Sequence, residues 1–262
     1  MRRIGELLDE VSPGGIDDNG DDLGSPETPT IGCVRCQDRR WLRWDVAVGH
    51  PNFGKILRCP DCRDQDRAYR LGQLAQAAGL SEAQRIQTFD RLQPVKGMGA
   101  AIKAAAAWSR LPDGWLLVHG QRGSGKTHLS CAVANALVSA ERSVLWWHVP
   151  DLVNRARQAV AETRLPQLDD ELRRAPILIL DSLAAVRGTE FALQDFLEPM
   201  IDARYRDRRA TMFTAIGSPE EIAAEWSADI GSRLLDVRLC RVVHNRASSF
   251  REREADAGQF RG

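Results

Sequence analysis

No apolar run in the 262-residue sequence approaches the roughly 18 residues that a membrane helix needs, so no membrane span and no membrane partner are expected. Net charge is also missing. The 36 basic residues balance 36 acidic ones, and bulk charge therefore argues neither for nor against nucleic acid. The N-terminus begins Met1-Arg2-Arg3 but runs into an acidic, glycine-rich stretch with no apolar centre. That argues against a secretory signal and leaves the cytoplasm as the expected compartment. No repeat and no low-complexity segment stands out. The 43% hydrophobic content is ordinary for a globular chain.

The charges that are present are unevenly placed. Acids crowd Asp9 to Glu27, and arginines crowd Arg204 to Arg209 and the tail after Arg233. A solvated helix face explains such clusters as readily as a ligand surface does. Residues 1–29 are too polar to offset the entropy of ordering and are expected to be disordered. Residues 30–63 are bounded by cysteines and residues 64–98 read as a helical linker, with Leu71, Leu74, Ala78 and Leu80 to one side. Residues 99–245 carry strands alternating with helices, and 246–262 read as a mobile tail. The expected strands are Trp115–His119, Ser143–Trp147, Ile177–Leu180, Ala210–Ile216 and Leu239–His244. Such alternation predicts a mostly parallel sheet covered on both faces, an α/β class. Ser218, Pro219 and Glu221 spell a helix start with a capping box. Pro199 falls inside an apolar helical pattern and predicts a kink.

The most specific motif is Gly120-Gln121-Arg122-Gly123-Ser124-Gly125-Lys126-Thr127, placed after an apolar strand and at the start of a helix. Glycines let successive N–H groups turn toward an anion, and the helix N-terminus adds its positive end. Lys126 is the expected cation for the β- and γ-phosphates, and Thr127 the expected hydroxyl on Mg²⁺, so the implied cofactors are ATP and Mg²⁺. Ile177-Leu178-Ile179-Leu180-Asp181 ends an apolar strand in an acid, which is expected to hold Mg²⁺ directly or through water. A second acid normally follows to polarise the attacking water. Ser182 stands there instead and is a poor general base, with Glu190 or Asp195 as the substitutes within reach of the sequence. Slow hydrolysis is expected.

Of six cysteines, four form two C-x-x-C pairs, Cys33/Cys36 and Cys59/Cys62, with 22 residues between them. Two such knuckles complete a tetrahedral sulfur site, and structural Zn²⁺ is the expected occupant, with an iron–sulfur cluster or free thiols as alternatives. Gly49 and Gly54 suggest a hairpin between the pairs. Cys131 and Cys240 lie in apolar patterns and read as small core residues.

A zinc knuckle unit, a helical bridge and a P-loop domain, in that order, resemble the bacterial helicase-loader ATPases of the DnaC/DnaI type. These belong to the AAA+ class, which also holds the IstB-like transposition helpers. The resemblance is carried by Thr88-Phe89-Asp90, by Gly114-Trp115-Leu116-Leu117 leading to Gly125-Lys126-Thr127-His128-Leu129, and by Val149-Pro150-Asp151-Leu152. It continues through Thr189-Glu190-Phe191-Ala192-Leu193, Ile201-Asp202-Ala203-Arg204-Tyr205-Arg206 and Gly231-Ser232-Arg233-Leu234. The resemblance implies a P-loop AAA+ core with a five-stranded parallel sheet. It also implies ATP-Mg²⁺ between self-associated protomers, single-stranded DNA along the assembly, and a hexameric replicative helicase as partner. It places Arg233 as an arginine finger and Thr214 as a sensor of the γ-phosphate, although the asparagine that usually accompanies that threonine is absent. Arg155, Arg157, Arg206, Arg208 and Arg209 are the candidates for DNA backbone contact. An IstB-like selector of duplex target DNA, or a nucleotide-binding adaptor without catalysis, are the alternative functions.

Overall fold

The computed structural model describes residues 32–183, 195–225 and 227–250, and the chain divides into two compact units, residues 1–66 and 67–262. In the first unit, strands β1 (Trp41–Arg43) and β2 (Ile56–Arg58) pair antiparallel, with Leu42 opposite Leu57. Helix α1 (Pro60–Ala77) begins there, with Pro60 at its first position, where a missing N–H costs nothing.

The second unit continues with α2 (Glu82–Arg85), α3 (Gly99–Arg110), β3 (Trp115–His119), α4 (Lys126–Ser139) and β4 (Leu145–His148). Next come α5 (Val149–Ala161), α6 (Leu165–Arg174), β5 (Ile177–Asp181), α7 (Glu198–Arg206) and β6 (Ala210–Ala215). The described chain closes with α8 (Pro219–Glu225), α9 (Ala228–Leu234) and β7 (Cys240–His244). The five strands form one sheet in the order β4-β5-β6-β3-β7, and every neighbouring pair is parallel. The α/β core with a five-stranded parallel sheet is therefore as the sequence predicted.

Alternation along the strands fills two cores. Trp115, Leu117, Leu178, Leu180 and Phe213 face one side, where α5, α6, α7 and α9 pack. Leu116, Val118, Ile177, Ile179 and Met212 face the other, beneath α3 and α4. A sheet buried on both faces has no polar face, which is why these strands read as unbroken apolar runs. Cys131 and Cys240 are buried in these cores. Trp146 N–H bonds to the carbonyl of Ala78, so the segment after α1 covers the open edge at β4.

Ser218 and Glu221 form the expected capping box, with Ser218 N–H on Glu221 Oε2 at 2.7 Å and Glu221 N–H on Ser218 Oγ at 3.3 Å. Pro199 sits in the first turn of α7, preceded by a short π-helical turn at 195–197. A widened turn just ahead of the proline relieves the clash of its ring with the preceding carbonyl.

The arginine cluster at 204–209 is not all solvated. Arg204 is fully buried. Its guanidinium donates to the carbonyls of Leu172, Arg173 and Ala175 at the end of α6, to the carbonyl of Ala210, and to Thr211 Oγ1. A helix C-terminus leaves carbonyls without partners and carries partial negative charge, and the planar donor fork of arginine answers both. Burial pulls this guanidinium down to about 9, so it remains charged at neutral pH. Arg204→Met is expected to strip four backbone carbonyls of a partner and cost about 3 kcal/mol or more, read as a fall in the denaturant midpoint of unfolding. Arg204→Lys should recover only part, because one ammonium cannot reproduce the fork.

Candidate nucleotide site and metal centre

Strand β6 lies between β3 and β5, so the C-terminal ends of all three converge on one crevice, the usual ligand position of an open parallel sheet. The phosphate loop leaves β3 and enters α4. Gly120 and Gly123 have positive φ, 152° and 73°. A Cβ at Gly120 would strike the carbonyl oxygen of Asn245, and one at Gly123 the hydroxyl of Ser249. Only glycine suits either place.

Lys126 is folded onto its own loop. Its Nζ donates to the carbonyls of Gly120 and Gln121, both at 2.7 Å, and lies 3.4 Å from Ser124 Oγ. Ser124 Oγ donates to the carbonyl of Gln121. Thr127 Oγ1 donates to Asp181 Oδ2 at 2.9 Å, which joins the phosphate loop to the end of β5. The fully buried Asp181 also accepts from Ser130 Oγ and Thr214 Oγ1 on Oδ1, and from Ser182 Oγ on Oδ2. Ser130 in turn accepts the indole N–H of Trp146. A carboxylate ringed by hydroxyls is a hard, oxygen-rich corner beside Thr127, and that chemistry fits Mg²⁺. Lys126 adjacent to it fits the phosphates of ATP.

Several predicted residues have other duties here. Thr214 gives its proton to Asp181 and accepts Ser182 N–H at 2.9 Å. Ser182 has φ +62°, and its hydroxyl is turned onto Asp181. His128 Nε2 meets the carbonyl of Thr88 at 3.1 Å, bringing the Thr88–Asp90 segment to the first turn of α4. Arg233 forms its hydrogen bonds with Asp202 of α7, the Nε at 3.0 Å, and not with the phosphate loop. Asp195 is exposed, and Glu190 lies outside the described residues together with the rest of Thr189–Leu193, residues 1–31 and 251–262. Of the arginines proposed for DNA, Arg155 pairs with Glu162, Arg206 with Asp202, and Arg209 with Asp207.

One element of the site had no signal in the sequence. The residues after β7 brace the phosphate loop from behind. Asn245 is fully buried, and its Nδ2 donates to the Ser124 carbonyl at 2.8 Å, 121 positions away. Gln121 Nε2 donates to the carbonyl of Ala247, and Phe250 N–H to the carbonyl of Gly123. The bonds are to backbone carbonyls, which leave no side-chain pattern to read.

Burial holds the Lys126 amine down at about 8, against the attraction of Asp181 and with a smaller push from Arg122. Phosphate oxygens beside it would raise that value. A group whose pKa is higher in the complex favours binding fully below its free pKa and loses that contribution above it. ATP affinity is therefore expected to be flat below about pH 8 and to fall above it, approaching tenfold per pH unit. Calorimetry in buffers of different ionisation enthalpy should register proton uptake near pH 8.5 and none near pH 6.5. An affinity unchanged from pH 7 to 9.5 would contradict this.

In the first unit, Cys33, Cys36, Cys59 and Cys62 are all buried, and their sulfurs lie within 4.8 Å of one another. The first knuckle turns through left-handed φ at Gln37, Asp38 and Arg40, and Asp38 Oδ1 accepts the N–H of Cys33. Cys62 lies in the first turn of α1. The Cys36 N–H, the strongest influence, brings Cys33 down to about 7, while the hydrogen bond with Cys36 and burial push Cys62 up. Four sulfur donors in this compact arrangement can chelate a metal ion, and the donor set suits tetrahedral Zn²⁺.

The sequence profile of the IstB-like ATP-binding proteins matches residues 61–256. The chain is 32% identical over 184 residues to the insertion sequence ATP-binding protein y4iQ/y4nD/y4sD of Sinorhizobium fredii, covering 66% of this chain and 59% of that protein. It is 23% identical over 128 residues to the replicative helicase loader DnaI of Bacillus subtilis, covering 49% of this chain and 41% of that one. The crystal structure of the DnaC helicase loader superposes with a TM-score of 0.56 at 18% identity, covering 63% of this chain and all of that one. The matched regions thus span about half the length of these curated relatives. Among the described residues no helix is long and apolar enough to cross a membrane.

Proposed function

Because the chain belongs to the IstB-like ATP-binding protein family, we propose that it is an ATP-switched DNA-binding helper of a transposition machinery. It is a P-loop AAA+ protein related to the DnaC/DnaI/IstB loaders, and that relationship alone leaves helicase loading and transposition side by side. The observation that favours transposition is the family match over residues 61–256, with an insertion sequence relative aligned along 66% of the chain.

In this reading, Lys126 leaves the carbonyls of Gly120 and Gln121 to meet the β- and γ-phosphates. Thr127 and Asp181 would hold Mg²⁺, which would supply charge neutralisation at the phosphates. Asp181 accepts from Thr214, whose hydroxyl also accepts Ser182 N–H, so these residues would link a bound γ-phosphate to the ends of β5 and β6. Ser182 offers no carboxylate to activate water, and turnover is slow. Arg233 reaches the ATP of a neighbouring protomer only after leaving Asp202. Nucleotide then sets assembly on duplex target DNA, with arginines contacting the phosphate backbone.

The test is electron microscopy of the full chain with ATP-Mg²⁺ on long duplex DNA, beside the same mixture with single strands and a replicative helicase. ATP-dependent filaments on the duplex support the proposal. Complexes only with the helicase hexamer on single strands would replace it with the loader reading.

A further inference from the structure

The hairpin of the cysteine unit exposes aromatic rings, in contrast to the core tryptophans of the ATP-binding unit. Trp108, Trp115 and Trp146 are 1–7% exposed, whereas Trp41, Trp44 and Phe53 are 52%, 45% and 53% exposed. Leu42 packs against the cysteine cluster, so Trp41, paired with Arg58, and Arg43, paired with Ile56, stand on the opposite face of the ribbon. Arg39 to Trp44 and Lys55 to Arg58 contain five basic residues and no acid. The buried Asp66 takes up Arg40 and Arg58. Among the described residues, Arg39, Arg43 and Lys55 form no ion pair.

Several exposed rings together on a module with almost no core mark a contact surface. Rings interleaved with uncommitted cations match a polyanion whose bases are open to stacking. Duplex DNA keeps its base faces covered, and an acidic peptide offers no flat partner for the rings. We propose that the outer hairpin face, centred on Trp41 and Arg43, is a binding site for single-stranded nucleic acid, with bases on the rings and phosphates on the cations. This site acts without ATP and lies apart from the nucleotide crevice in the chain, so it stands whether or not the transposition reading holds.

The test uses the full, zinc-loaded chain and a labelled oligothymidine without nucleotide, followed by fluorescence anisotropy. Trp41→Ala is expected to weaken binding about tenfold and Trp41→Phe to retain most of it. Arg43→Ala should lower the slope of affinity against salt by about 1. A parallel titration with ATP-Mg²⁺ should show that the binding does not require nucleotide. Zinc content checks that each variant is folded. A Trp41→Ala, Arg43→Ala double variant that keeps its zinc and binds with unchanged affinity overturns the proposal and turns this face toward a protein partner. Oligonucleotide binding that appears only with ATP-Mg²⁺ would overturn it as well, and would assign the strand to the ATP-binding unit.

Discussion

Lys126→Ala should lose ATP by at least about thirtyfold, because removing one partner of a buried, hydrogen-bonded charge pair costs about 2–5 kcal/mol. The residue is 9% exposed, so water cannot take its place beside the phosphates at little cost. The variant also deprives the carbonyls of Gly120 and Gln121 of their donor in the free protein, which loosens the loop before nucleotide arrives. Asp181→Asn should behave differently. The amide oxygen can still accept from some of Thr127, Ser130 and Thr214, so the fold survives, but the negative charge for Mg²⁺ is gone. Equilibrium titration with a fluorescent ATP analogue, with and without Mg²⁺, separates the two. Lys126→Ala loses affinity in both conditions, and Asp181→Asn loses the gain that Mg²⁺ brings.

The second large effect concerns the four-cysteine unit. Among described residues 32–66, the buried side chains are the four cysteines and Asp66. A unit of this size with no apolar core cannot offset its chain entropy by burial alone. Metal binding to such sites contributes on the order of 10 kcal/mol, so Cys59→Ser, or removal of the ion by a strong chelator, is expected to unfold the unit rather than loosen it. Hydrogen exchange should show amides of 33–58 losing protection while β3, β5 and β6 keep theirs. ATP binding by the second unit should be unchanged. Acid should release the ion as the thiolates take up protons. Protection that survives both treatments would mean the hairpin is held by something other than the metal.

These two sites were legible for the same reason. The phosphate loop and each cysteine knuckle are local patterns whose residue types and spacing reveal them, although the two knuckles lie 22 residues apart. The strands were legible because a sheet buried on both faces needs runs such as Ile177–Leu180, and the boundaries moved only by a residue or two, as at Leu145–His148. Arg204 and Asn245 were opaque because each ends on backbone carbonyls remote in sequence. An arginine that closes a helix end is spelled the same way as one in water. Ser182 was noticed as a missing acid, but its left-handed backbone and its place on Asp181 depend on Thr214, which only the order β5-β6-β3 brings near. Pro199 was legible as a break in the helical pattern, but the π-helical turn at 195–197 ahead of it was not.

Nucleotide at the Lys126–Asp181 crevice is proposed to switch DNA binding on. The most direct measurement is the affinity of the full chain for a labelled duplex, titrated with ATP-Mg²⁺, with ADP-Mg²⁺ and with neither, beside Lys126→Ala in the same three conditions. Tight duplex binding is expected with ATP-Mg²⁺ alone, and none of that gain in the variant. Equal duplex affinity in all three conditions, or a gain that Lys126→Ala retains, would contradict it.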